Sequence, residues 1–175
     1  MTGDVIVRDA EETDLPAILE IYNTAILNET SIWNDDVSDI DDRRAWWQAR
    51  TASGFPVYVA EVDGAVSGYG TFGEFRPHQG YRFTVEHSIY VSASVHRRGV
   101  GSVLLTRLVA EARRMGKHAM IGGITSDNLA SIALHQRFGF VETGRMPQVG
   151  FKFGRWLDLS FYQLVLDTPA HPVDG

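Results

Sequence analysis

Residues 86–102 run Glu86-His87-Ser88-Ile89-Tyr90-Val91-Ser92-Ala93-Ser94-Val95-His96-Arg97-Arg98-Gly99-Val100-Gly101-Ser102. Residues 88–92 are a β-type run. A short basic turn with two glycines one residue apart follows, and an amphipathic helical pattern starts at once. That order brings free backbone N–H groups, a helix N-terminus, Arg97 and Arg98 to one point. Converging N–H donors and the positive end of a helix dipole favour an anion, phosphate above all. Glu86, just upstream on the strand, adds a carboxylate able to accept a proton.

The periodicities on either side of this unit predict the rest of the chain. Residues 5–8 read as a strand, and Thr13 as the cap of a helix that keeps apolar spacing at Leu15, Ile18, Leu19, Tyr22 and Ile26 to about residue 27. Residues 28–38 form a loop around Trp33, and 41–52 a second helix. A strand over 57–62 meets Asp63-Gly64, a strong hairpin signal, and returns over 65–75. Gly68, Gly70 and Gly73 in that return strand imply a bend or a close backbone approach. Residues 76–82 are a loop and 83–91 the next strand. The helix over 99–115 ends at Gly116. A buried-type strand over 119–124, a helix over 127–138 and an antiparallel pair over 141–149 and 157–165 complete an α/β fold around a mixed, mostly antiparallel sheet flanked by helices.

The chain has 175 residues, 44% of them hydrophobic and 22% charged, as expected of one globular domain over residues 1–166 with a flexible tail over 167–175. The net charge of -6 disfavours nucleic acid as a partner, and the local basic spot at Arg97 and Arg98 suits a small anion better. With no cysteine, thiolate nucleophiles and cysteine-held zinc are excluded. The six histidines show no metal-ligand spacing, so no metal is expected. No signal peptide or membrane span is visible, and the cytoplasm is the expected compartment.

The turn over Arg97, Arg98, Gly99, Val100, Gly101 and Ser102 is neither a Walker A motif, which needs Gly-Lys-Ser/Thr, nor a dinucleotide fingerprint, which needs a third glycine. By itself it also fits a plain glycine-containing helix start with solvated arginines. Asn128 and His135 sit seven residues apart, on one helix face about two turns apart. Asn128 can bond a ligand amide and His135 can move a proton near neutral pH. A helix-terminal residue and a partly exposed histidine are the plainer alternatives.

Taken in order, the strand, the glycine turn, the helix and the later unit of Asn128, Ser131, His135, Gly139 and Phe140 resemble the GCN5-related N-acetyltransferase (GNAT) superfamily over about residues 6–166. More narrowly, Thr84-Val85-Glu86-His87-Ser88-Ile89-Tyr90-Val91 and Met146-Pro147-Gln148-Val149-Gly150-Phe151-Lys152-Phe153-Gly154-Arg155-Trp156-Leu157-Asp158 resemble the phosphinothricin / methionine sulfoximine acetyltransferases. His96 departs from the Gln or Arg usual at the first position of the acyl-CoA turn.

The resemblance implies acetyl-CoA as co-substrate and transfer of its acetyl group to the primary amine of a small molecule. It implies Glu86 as the base that frees the amine and His135 as the acid for the departing thiolate. Ile89, Tyr90, Val91, the turn over residues 97–102, Asn128 and Arg137 are the expected cofactor contacts, with the Val91 N–H facing the thioester. Arg76, Pro77, His78, Glu86, His87 and Ser88 are the expected acceptor contacts, although strand alternation points neighbours to opposite faces. Trp33 and Tyr81 are candidate apolar walls. The segment 152–156 is expected to reach a partner subunit in a homodimer. Two alternatives stay open: an acetyltransferase for a polyamine or protein N-terminus, and a non-catalytic acyl-CoA-binding module.

Overall fold

The computed structural model describes residues 4–168. The chain runs β1 (Val5–Asp9), α1 (Leu15–Asn28), α2 (Ile40–Ala52), β2 (Val57–Val62), β3 (Ala65–Glu74), β4 (Thr84–Val91), α3 (Val100–Arg114), β5 (Ala119–Thr125), α4 (Leu129–Arg137), β6 (Val141–Lys152) and β7 (Arg155–Val165). The strands make one seven-stranded sheet in the order β1-β2-β3-β4-β5-β7-β6. Every neighbouring pair is antiparallel except β4 and β5. Every predicted element is present, most within two or three residues of its expected ends.

Local chemistry accounts for the boundaries. Asp63 and Gly64 both take positive φ, as a two-residue hairpin turn requires. Asp39 caps α2 by accepting from the Asp41 and Asp42 N–H groups. The expected cap at Thr13 is corrected: Thr13 lies inside a 3-10 turn (Glu12–Asp14), and Glu11 and Asp14 cap each other reciprocally. Arg8 competes successfully for the same carboxylate, with Nη1 2.7 Å and Nη2 2.8 Å from Asp14. That contact tethers the start of α1 to β1. Of the expected tail, residues 169–175 lie outside the described residues.

Helices cover both faces of the sheet. On one, α3 buries Leu104, Leu105 and Leu108 completely against Phe72, Met120 and Tyr162. Each such leucine contributes roughly 1.5–3 kcal/mol. On the other, α1 and α2 pack Leu15, Ile18 and Trp46 over Val57, Val59 and Tyr69. The glycines of β3 mark close approaches, as expected. A Cβ on Gly68 would lie 2.9 Å from Val100 Cγ1, and one on Gly70 3.1 Å from Leu108 Cδ1.

The decisive irregularity lies between β4 and β5. They pair only at Thr84–Ala119, Val85–Met120 and Glu86–Ile121. Beyond that point each strand continues, β4 held by β3 and β5 held by β7. The sheet therefore opens just after Glu86, leaving two facing edges without strand partners.

Candidate active site

Alternation along β4 sorts its residues. Glu86, Ser88 and Tyr90 face α1 and α2, where Tyr90 meets Tyr22 edge-on. His87, Ile89 and Val91 face α3 and α4. The backbone alternates too. Ser92 N–H bonds Ser67 of β3, while Phe83 C=O accepts from His118 and Ala119 at β5. Odd-numbered residues of β4 thus aim their amides toward β5. At Ile89 and Val91, beyond the last β5 pairing, these amides face the opening. Gly123, mid-strand in β5, is exposed between buried neighbours.

The turn after β4 has the form of an anion cradle. Arg97 and Gly99 take positive φ of 68° and 84°, and α3 begins with no side-chain cap. Its first-turn N–H groups stay available at the positive end of the dipole. Gly101 serves packing: a Cβ there would lie 3.2 Å from Leu134 of α4. Arg137 reaches Ser102 Oγ at 3.3 Å, so α4 adds a cation to the rim. Arg98 turns aside to Asp63 at 2.8 Å, whereas Arg97 is exposed. The Asn128 Oδ1 is committed to capping α4, accepting from Ser131 N–H at 3.1 Å. A second cleft of about 240 Å³ follows the end of β4, between Tyr90, Val91 and Ser92, the α1 residues Glu20 and Thr24, and Glu29 just after α1.

Glu86 opens into a cleft of about 350 Å³ lined by Ser31, Trp33, Arg76, Gly123, Thr125, Met146, Leu159 and Phe161. Burial pushes its carboxyl up, and the positive charge of Arg76 partly pulls it back. A carboxylate so placed has a stronger appetite for a proton than a solvated one. Arg76 lies against the Phe75 ring, 4.2 Å from its centroid. Pro77, His78 and Tyr81 sit on the exposed loop above and do not line this cleft. Ser88 shares the Glu86 face but its hydroxyl is engaged by Tyr90.

Two of the expected site residues lie together on the other face of the sheet. His87 and His135 are stacked and buried beneath the opening, with Nε2 atoms 3.0 Å apart. His135 Nδ1 donates to Ser131 C=O at 2.7 Å. Its Nε2 must then accept from His87, and the buried His87 Nδ1 is left without a partner. His87 therefore does not line the acceptor cleft. In this arrangement the His135 Nε2 faces His87 rather than the Glu86 cleft. Burial lowers the pKa of both, that of His87 to about 3 with the His135 charge adding to the effect.

Several wall residues escaped the sequence reading. Thr125 Oγ1 donates to Thr30 C=O at 2.6 Å and accepts from Trp33 Nε1 at 3.2 Å, fixing the loop before α2. Trp33 lies on Gly150, where a Cβ would be 2.2 Å from its ring. Lys152, expected to reach a partner, instead turns into its own chain. Its buried Nζ donates to Glu29 C=O at 2.7 Å and to Ile32 C=O. The Gly122-Gly123 pair inside a buried strand was the available signal for the open side of β5.

Known proteins resemble this chain along nearly its whole length. Residues 17–140 match the acetyltransferase (GNAT) family profile. The L-methionine sulfoximine/L-methionine sulfone acetyltransferase of Salmonella typhimurium is 54% identical over 166 residues, covering 95% of this chain and 97% of that one. A solved Salmonella typhimurium structure carrying its cofactor acetyl-CoA superposes with a TM-score of 0.93 at 53% identity, over 97% of this chain and 98% of that one. The GNAT superfamily phosphinothricin acetyltransferase of Sinorhizobium meliloti, solved with acetyl-CoA, gives a TM-score of 0.94 at 37% identity, over 100% and 95%.

Proposed function

The chain belongs to the acetyltransferase (GNAT) family, and on that footing we propose that it acetylates the primary amine of methionine sulfoximine, methionine sulfone or phosphinothricin by direct attack. The observation that carries this reading is the half-buried Glu86 in a cleft shared with Arg76, at the point where β4 and β5 part. Acetyl-CoA supplies an acetyl group activated as a thioester.

The residues present fit that co-substrate. The uncapped start of α3, with Gly99 and Arg97 in left-handed backbone, suits its phosphates. The edge of β4 at Ile89 and Val91, beyond its pairing with β5, offers amide partners, and on this reading the Val91 N–H holds a thioester oxygen as charge builds on it. Arg137 and Ser102 close the rim.

An amine is mostly protonated near neutral pH and cannot attack until it loses that proton. Glu86, raised by burial, accepts it within the cleft. Arg76 attracts the anionic or strongly polar end of the acceptor and lowers the Glu86 pKa against the effect of burial. Trp33, Leu159 and Phe161 exclude water from the acceptor. The leaving thiolate needs no dedicated acid, because a thiol has a pKa of only about 8.5. His135 and His87 fill the space under the opening and hold its shape.

Two copies are inferred to associate through the outer part of β6 and β7. Met146, Val149, Phe151, Phe153 and Trp156 are exposed there, on an edge of the sheet. The cytoplasm is the compartment this reading assigns. Thiol release from acetyl-CoA, measured with methionine sulfone, methionine sulfoximine, phosphinothricin, glutamate, spermidine and a short peptide, tests the acceptor class. Turnover confined to the first three is expected. Turnover confined to spermidine or peptide would discard the acceptor.

A further inference from the structure

The stretch from Met146 to Asp158 carries part of the narrower resemblance, and the proton transfer above makes no use of it. Its geometry ties it to the acceptor cleft. Two rows of residues cross the sheet there: Gly123 pairs with Phe161, while Thr125 pairs with Leu159 and Leu159 with Met146. All five line the cleft. The first row lies at the Glu86 carboxylate, since a Cβ on Gly123 would be 3.3 Å from Glu86 Oε1. Met146 stands farther out, about 7 Å along β5 and about 10 Å across the strands from Gly123.

Met146 owes its place to a bulge. On β6 the three residues Pro147, Gln148 and Val149 separate Met146 from Gly150, whereas on β7 Asp158 alone separates their partners Leu159 and Leu157. The surplus is two residues, so β6 keeps one face toward the cleft on both sides of the bulge. Trp33 accordingly lies on Gly150, where a Cβ would be 2.2 Å from its ring. Bulges re-aim side chains next to active sites. This one is costly, because Gln148 takes a positive φ of 56°, which side chains other than glycine rarely adopt. Asp158 holds it in place. Its Oδ1 accepts from Gln148 N–H at 2.8 Å, and its Oδ2 from Arg145 Nη2 at 2.8 Å. Its backbone C=O accepts from Ser126 N–H at 2.9 Å, beside Thr125. Asp158 does not line the cleft, and alternation along β7 turns it away from the face of Leu157 and Leu159.

We propose that this bulge sets the length of acceptor side chain the cleft takes, with Met146 as the specificity-determining residue and Asp158 as the residue that positions it. The inference rests on the acceptor reading given above. With its amine at Glu86, an extended methionine sulfone reaches about 7 Å from that carboxylate. The apolar path outward runs over Phe161 and Leu159 to Met146. The flexible Met146 side chain closes the remaining gap and meets the terminal methyl group. Asp158 touches no acceptor and acts through the backbone that carries Met146.

The test compares methionine sulfone with ethionine sulfone, which adds one methylene at the far end. Wild type, Met146→Ala, Asp158→Ala, Asp158→Asn and Val149→Ala are assayed for kcat/KM with both, and for the KM of acetyl-CoA. One methylene in an apolar pocket changes kcat/KM about tenfold or more, so wild type should favour methionine sulfone by about that factor. Met146→Ala should cut the preference about fivefold or more, while KM for acetyl-CoA stays within about twofold of wild type. Asp158→Ala should act in the same direction, and Asp158→Asn, which can still accept from Gln148, should recover part of the preference. Val149→Ala, on the bulge but away from the cleft, should leave the preference within about twofold of wild type. Met146 is partly exposed, so Met146→Ala decides the matter if Asp158→Ala folds poorly. An unchanged preference in Met146→Ala, equal losses on both acceptors in folded Asp158→Ala, or a shift in Val149→Ala as large as in Met146→Ala would overturn the assignment. Wild type that acetylates other amines but neither sulfone would instead remove the acceptor reading itself.

Discussion

Glu86 and His87 are adjacent on one strand, and burial drives both toward their neutral forms, yet they do opposite things. Glu86 faces α1 and α2 at the opening of the sheet, in a cleft with a cation at its rim. His87 faces α3 and α4, sealed between His135 and Phe140. Both pKa values are displaced, but only Glu86 opens onto a cleft, while His87 is buried. A perturbed titratable residue therefore points to function only when strand alternation gives it access as well. The rest of the molecule divides along the same line. One side of β4 opens onto a cleft at Glu86, and the other is packed around His87.

The largest expected effect comes from breaking the reactive side. Glu86→Gln should lower kcat by about 10²–10⁴, the range for loss of a positioned general base, with the fold intact by circular dichroism. Arg76→Ala should act more mildly and in two ways. It removes the charge that holds the Glu86 pKa down, so the acid limb of kcat/KM should move to higher pH, and KM for the acceptor should rise. A limb that moves to lower pH would contradict the placement of these two residues.

The packing side should respond in stability rather than chemistry. Lys152→Met leaves two loop carbonyls without their donor and should cost about 1–3 kcal/mol, seen in denaturant titration. The histidine pair gives a signed pH effect. The His87 pKa is depressed from 6.5 to about 3, so the unfolded chain takes up a proton that the folded chain refuses. Its contribution is complete above pH 6.5 and is lost progressively as pH falls from there toward about 3. His87→Gln should flatten that part of the stability curve. The smallest effect is at the α4 cap, where Asn128→Ala should cost about 1 kcal/mol.

Most of the fold could be read from the chain because its punctuation is local. Asp63-Gly64 enforces a hairpin, Gly116 ends α3, and apolar spacing in α1 and α3 assigns their buried faces. The positions of Glu86 on β4, of Arg76 in the loop before it and of the glycine turn at the start of α3 follow for the same reason, since strand, loop and helix start follow one another directly. The contacts that spacing did not reveal share a different cause. Thr13 lost its capping role to Asp14 because Arg8, on another strand, fixes that carboxylate. His135 faced the expected side of its helix but found His87, 48 residues away. Lys152, the first residue of the segment expected to reach a neighbouring subunit, bonds a carbonyl 120 residues earlier in its own chain. Spacing along one element does not reveal which distant group occupies the facing position.

The most direct test is the pH profile of kcat/KM for methionine sulfone in wild type, Glu86→Gln and His87→Gln. The wild-type acid limb should lie above the ordinary carboxylate range, vanish with a large loss of rate in Glu86→Gln, and persist at the same pH in His87→Gln. A limb that survives in Glu86→Gln and disappears in His87→Gln would place the chemistry on the other side of the strand and contradict the account.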